Sequence, residues 1–328
     1  MKLATLKDGS RDGQLAVVSR DLARAHLADA IAPTLQRALD DWSFVAPQLL
    51  ELALALEQGK APNAFAFDPR RCMAPLPRAY QWLDAAAYAP HLERLTRARG
   101  AELPPSFGSV PAIYQGASDD FLGPHEAAAF DSPEHGIDLE AEIAVIVDDI
   151  PMGAAPARCA ERIRLLALVN DWSLRAFAAG EIASGFGFLR TKPATAFAPV
   201  AVTPDELGAS WRDSLAHLPV MVHCRGTRLG QANAGADAMF GFDRLLAHAA
   251  GTRNLRAGTI LGAGTVSNRD AASGFSCIAE ARALETIEQG GARTEFLAFG
   301  DRVRIEVFDE HANSIFGAID QEVVARQR

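Results

Sequence analysis

The chain has 328 residues, 49% hydrophobic and 22% charged, with a formal net charge of −9. That composition reads as a globular protein with no apolar run long enough to span a bilayer, and the acidic balance without a basic stripe argues against a nucleic-acid partner. The opening Met1-Lys2-Leu3-Ala4-Thr5-Leu6-Lys7-Asp8 lacks the apolar core of a signal peptide, so a cytoplasmic location is expected.

Residues 2–7 and 14–19 read as short strands joined by a polar turn from Asp8 to Gly13. Helical periodicity runs from Asp29 to Gly59 through Leu35, Leu39, Trp42, Leu49, Leu52 and Leu56, and Pro47 is expected to break it into two helices. This small α+β unit, residues 1–75, carries no acid–base or ligand constellation, and its expected role is packing or oligomerisation. A proline-studded linker follows, then a helix expected over Asp84–Arg99 (Tyr88, Leu92, Leu95) that ends before Pro104-Pro105. Residues 76–104 are thus linker and helix, and 105–328 form the main domain.

That domain opens with a strand around Tyr114 and an acidic loop from Ala117 to Glu126. Next come an acidic-then-apolar strand from Asp138 to Val147, a short helix starting at Pro156, and an apolar strand from Ile163 to Asn170. Further strands are expected over 219–224, 258–266, 277–284 and 302–308, with Ser314 to Ile319 after them and one helix within Asp237–Ala249. Strands at such spacing with glycine-rich turns indicate a β-dominated α+β fold, a sandwich or rolled sheet in place of a doubly wound domain. Cys72, Cys159, Cys224 and Cys277 are scattered without metal spacing and read as buried apolar residues.

The stretch Asp138-Leu139-Glu140-Ala141-Glu142 organises the chemistry. Alternation on a strand places Asp138, Glu140 and Glu142 on one face. A solvated acidic face is the plain reading of such a pattern. Here the strand turns wholly apolar, so burial is expected, and buried like charges need a partner. A hard divalent cation, Mg²⁺ or Ca²⁺, is the partner that carboxylate oxygens prefer. Asp171, at the end of the strand Ile163–Asn170, offers a third carboxylate.

The runs Asp138-Leu139-Glu140-Ala141-Glu142, Asn170-Asp171-Trp172-Ser173-Leu174-Arg175, Thr191-Lys192-Pro193 and Gly262-Ala263-Gly264-Thr265-Val266-Ser267 together resemble the fumarylacetoacetate hydrolase family in order and rough spacing. The resemblance covers residue 105 to the end, and more loosely the N-terminal unit. It implies a mixed β-roll or sandwich domain, a homodimer, and Mg²⁺ (or Mn²⁺ or Ca²⁺) held by Glu140, Glu142 and Asp171. It also implies that Lys192 donates to a substrate oxyanion, and that Tyr114, Arg175 and Thr265 contact substrate. Arg175 suits a carboxylate because its fork binds bidentately. Glu280 resembles a supporting acid of the family, with an exposed strand glutamate as the equal alternative.

Many members carry a water-activating histidine after the tyrosine-bearing strand. The corresponding loop here, Tyr114 to Glu126, offers Asp119 and Asp120 early and His125 late, so these three are the candidate bases, with His135 further off. The loop is expected to be mobile and to close over the metal. The other histidines, His91 among them, fall in no ligand spacing and read as structural. The family acts on small carboxylates with a 1,3-dicarbonyl or 2-oxo group. The first expectation is therefore hydrolytic carbon–carbon cleavage of an acylpyruvate or fumarylacetoacetate-like diketo acid. The alternatives are a decarboxylase, hydratase, isomerase or sugar-acid dehydratase of the same family, or a calcium-binding module without activity.

Overall fold

Two largely apolar runs set the centre of the molecule. In the computed structural model of the protein, which describes residues 1–327, the strands Ala141–Val147 and Ile163–Asn170 pair antiparallel, with Val145 opposite Leu166. Strands covered on both faces read as continuous hydrophobic runs, as these do. Ile143, Val145 and Val147 point into one apolar cluster, and Ala144 and Ile146 point into the other.

The pair lies within an eleven-stranded sheet. On one side the sheet continues through Ala201–Val202 to Lys2–Leu6, Gln14–Val18, Arg24–Leu27 and Phe65–Ala66. On the other side it continues through Ile260–Gly262 and Trp82–Ala85 to Ile113–Gly116. The N-terminal strands therefore extend the central sheet, with Lys2 paired to Val202. Helices Leu35–Asp40 and Trp42–Glu57 cover one face, burying Leu39 and Leu49 against Leu15 and Ile146. The opposite cluster is shared with a five-stranded sheet built on Pro219–Cys224 and Arg302–Val307, which contributes Val220 and Val307. The result is a strand-rich, mixed α+β architecture, as the strand spacing predicts. Among the described residues, no helix is long and apolar enough to cross a membrane.

Four local expectations change. The two N-terminal helices part at Asp41, whose φ of −138° leaves the helical region, while Pro47 is accommodated inside Trp42–Glu57. The helix expected from Asp84 starts only at Ala89, because Trp82–Ala85 is claimed as a strand between Ile260–Gly262 and Ile113–Gly116. Residues 277–284 are not a strand but the first part of helix Ile278–Gln289, capped by Cys277, whose Sγ accepts from the Glu280 amide at 3.4 Å. A helix at Arg175–Ser184 is additional to those read from the sequence.

Candidate active site

The acidic site forms where strand ends meet. Asn170 pairs with Ala141 in the antiparallel register, so Asp171 emerges beside Glu140, and its amide donates to the Glu140 carbonyl at 2.9 Å. Glu142 lies one step into the same strand. A fourth carboxylate comes from outside the sequence motifs: Asp84, on the strand paired in parallel with Ile260–Gly262. Asp84, Glu140, Glu142 and Asp171 are all buried, and each offers an oxygen within 4.8 Å of the others. Gly262 makes the approach possible. A Cβ there would stand 2.5 Å from Asp84 Oδ1 and 3.0 Å from Glu142 Oε2.

The chemistry of this set fits a hard divalent cation. Both Glu142 oxygens and Asp84 Oδ1 are buried without a hydrogen-bond partner among the described residues, a costly state for carboxylates unless something positive joins them. Burial, with Asp84 and Asp171 nearby, raises the Glu142 carboxyl well above the usual range. Burial and the Asp171 charge push Asp84 up to about 8. Glu140 behaves oppositely: burial opposes its charge, but Lys192 and Arg175 outweigh that and hold it ionised.

Lys192 Nζ donates to Glu140 Oε2 at 2.6 Å and to Asp171 Oδ2 at 2.7 Å. Burial works against its charge, yet Asp171 and Glu140 keep it protonated. Tyr114 and Thr195 donate hydroxyl hydrogens to the two oxygens of Asp171. Arg175 spends its guanidinium on Asp138 and Glu140. Asp138 leaves the acidic face expected for it, because the strand is interrupted between Ile137–Asp138 and Ala141–Val147. Its carboxylate instead accepts from the amides of Ile278 and Ala279 at 2.7 and 2.9 Å, tying down the N-terminus of helix Ile278–Gln289.

That helix carries Glu280 in its first turn, and Glu280 Oε2 lies 3.0 Å from His91 Nδ1. His91 sits in the first turn of helix Ala89–Ala98 and is buried. The other Glu280 oxygen accepts from Ser267 Oγ at 2.6 Å and from Arg94. Burial opposes its ionisation, but His91, Ser267 and Arg94 together hold Glu280 below the usual carboxylate range. With Nδ1 engaged, His91 has Nε2 left for the cavity it lines. His91 is thus not isolated, as its sequence context suggests, but paired, and Glu280 is a buried helix residue, not an exposed strand glutamate.

One cavity of about 540 Å³ collects these groups: Tyr114, Glu140, Arg175, Lys192 and Thr265 line it, together with Asp84 and His91. Asp119, Asp120 and His125 do not. Asp119 and Asp120 are exposed, and His125 lies beside Asp320. In this structure their loop lies against the body, with the Phe121 side chain buried and the Ser118 and Pro77 carbonyls accepting from Ala79 and Phe121. His135 packs at a tilt against Phe177, with ring centroids 4.9 Å apart. Asp84 was detectable only as a lone carboxylate inside the apolar run Trp82-Leu83-Asp84-Ala85. His91 had no local signal, because its partner is 189 residues away.

Comparison with known families adds two matches. Residues 1–78 match the fumarylacetoacetase N-terminal domain 2, and residues 81–324 match the fumarylacetoacetate (FAA) hydrolase C-terminal domain. No curated protein matches the chain. Solved structures share its fold over the whole length. A maleylpyruvate hydrolase from Sphingobium sp. SYK-6, in complex with manganese(II) ion and pyruvate, superposes with a TM-score of 0.66 at 16% identity, covering 100% of both chains. A 5-carboxymethyl-2-hydroxymuconate delta-isomerase from Mycobacterium smegmatis gives 0.60 at 16%, again covering 100% of both. A fumarylacetoacetate hydrolase from Exiguobacterium antarcticum gives 0.62 at 15%, covering 99% of this chain and 100% of that one.

Proposed function

The chain belongs to the fumarylacetoacetate hydrolase family, and from that membership we propose that it cleaves a carbon–carbon bond of a small diketo acid by adding water. The observation that carries this reading is the His91–Glu280 pair: His91 lines one cavity with Lys192 and with Asp84 and Glu140, two members of the four-carboxylate cluster. A divalent cation, Mg²⁺ or Mn²⁺, held by Asp84, Glu140, Glu142 and Asp171 would supply electrophilic stabilisation to oxygens of the 2-oxo-acid half of the substrate.

The protein groups divide the remaining work. His91 Nε2 accepts a proton from water as the hydroxyl adds to the remote carbonyl. Glu280 holds the ring in one tautomer and stabilises the imidazolium that forms. Lys192 has two of its N–H donors on Glu140 and Asp171, and the third is available to an oxyanion. When the carbon–carbon bond breaks, the acyl half leaves as a carboxylic acid. The electron pair passes to the enolate half, and His91 returns its proton to that carbon.

Membership alone also admits isomerases, so the test must separate the two outcomes. Acylpyruvates are incubated with the Mn²⁺-supplied protein, and products are followed by proton NMR and by pyruvate release. The proposal expects pyruvate and the free acid in equal amounts, with loss of release on chelation and in His91→Ala. Tautomer exchange without release of either product would overturn it.

A further inference from the structure

We propose that the cavity selects substrates whose end remote from the carboxylates is an uncharged, apolar group of about six to eight carbons. This inference rests on the reading above that the carboxylate cluster receives the 2-oxo-acid end.

Three helices build the cavity walls, and each begins at the charged end. Ala89–Ala98 presents His91 there, Arg175–Ser184 presents Arg175, and Ile278–Gln289 presents Ala279 beside Glu280. Farther along, the first helix contributes Leu92 and Leu95, the second Ala178 and Ile182, and the third Ala283. From Arg175 to Ile182 is a seven-residue advance, which at the helical rise moves the wall about 10 Å from the charged end. Phe188 also lines the cavity and meets the Tyr114 ring edge-on, with centroids 5.2 Å apart. The polar machinery thus occupies one end of a channel whose farther walls are mainly apolar, with Thr286 and two arginines among them.

Neither cation at the far end is buried, and each already gives a donor to a backbone carbonyl. Arg282 lines the cavity, but its guanidinium donates to the Thr294 carbonyl and lies over the Phe296 ring, 4.3 Å from the centroid. Arg99 is exposed, and its Nε donates to Leu95 O at 3.0 Å. A terminal carboxylate would therefore lose water along the apolar walls without a buried partner. A methylene in the same place gains about fourfold in affinity for each one buried.

The test uses binding, so that it stays separate from turnover. Pyruvate, 2-oxohexanoate, 2-oxooctanoate and the eight-carbon 2-oxo diacid are titrated calorimetrically into the Mn²⁺-supplied protein. Affinity should rise about fourfold per methylene from pyruvate to 2-oxooctanoate, and the diacid should bind no better than pyruvate. A flat series, or a diacid that binds more tightly than 2-oxooctanoate, overturns the proposal. Ile182→Glu, at a position already 50% exposed, should abolish the gain with chain length and leave pyruvate affinity within about twofold. An unchanged chain-length response in that variant also overturns it. If the short ligands bind and no diketo acid is cleaved, the hydrolytic reading fails while the affinity series still decides this one.

Discussion

Glu280 Oε2 and His91 Nδ1 lie 3.0 Å apart, on the first turns of two helices. The contact assigns the ring a single free nitrogen. Removing the ring should chiefly cost proton transfer, since Arg94 and Ser267 still hold Glu280 through its other oxygen, Oε1. His91→Ala is expected to lower kcat by about 10²–10⁴-fold while Mn²⁺ affinity stays near wild type. Glu280→Gln should lower kcat less and shift the pH profile of kcat/KM. A His91→Ala enzyme at full rate would remove the pair from the reaction.

Metal affinity should depend on Asp84 as strongly as on the motif acids. Asp84→Asn keeps the side-chain volume and removes one charge, and Glu142→Ala removes both unpartnered oxygens. Each should weaken Mn²⁺ binding by at least about 100-fold in calorimetry. In wild type, Mn²⁺ at 100 times its Kd should raise stability by about 2.7 kcal/mol, and at the same concentration this increment should fall to about 0.4 kcal/mol or less in both variants.

Gly262→Ala tests the space between these acids. The added methyl would stand 2.6 Å from the buried Trp82 ring as well as 2.5 Å from Asp84 Oδ1, so one of these buried side chains must shift. The expected result is a loss of metal affinity of about 10–100-fold with the far-ultraviolet spectrum preserved. Native affinity in this variant would show that the carboxylates can rearrange.

The metal-free protein should lose stability as pH rises toward 8. Asp84 is pushed up to about 8 when folded, whereas an unfolded aspartate titrates near about 3.9. Between those values the folded state holds the extra proton, so stability is fully present below the lower value and is lost as pH rises through the upper one. Glu142, also raised, acts in the same direction. The contribution is read as wild type minus Asp84→Asn in chelator between pH 6.5 and 8, with a slope of at most about 1.4 kcal/mol per pH unit per proton. Saturating Mn²⁺ should abolish the slope, because the bound cation stabilises the ionised acids. Equal slopes with and without metal would contradict the assignment.

The acidic core of the site was readable from local pattern. Glu140 and Glu142 precede an apolar strand and Asp171 closes another, while Lys192, 52 residues beyond Glu140, stood out through its resemblance to a family motif. The strand-rich α+β class followed from the same alternation. What local pattern could not supply was the company those residues keep. Asp84 was read as the start of a helix, and only pairing with Ile260–Gly262 makes its segment a strand and turns its carboxylate toward Glu142. His91 looked isolated because Glu280 reaches it from a helix 189 residues later, capped by Cys277 and anchored by Asp138. Asp119, Asp120 and His125 were favoured for their nearness in sequence to Tyr114, yet buried Phe121 ties their loop to the protein body. A side chain's type and strand phase are set by its neighbours in the chain, which is why the carboxylates were legible. The partner that gives a histidine its tautomer, or a carboxylate its cation, is set by which distant segments the apolar core draws together.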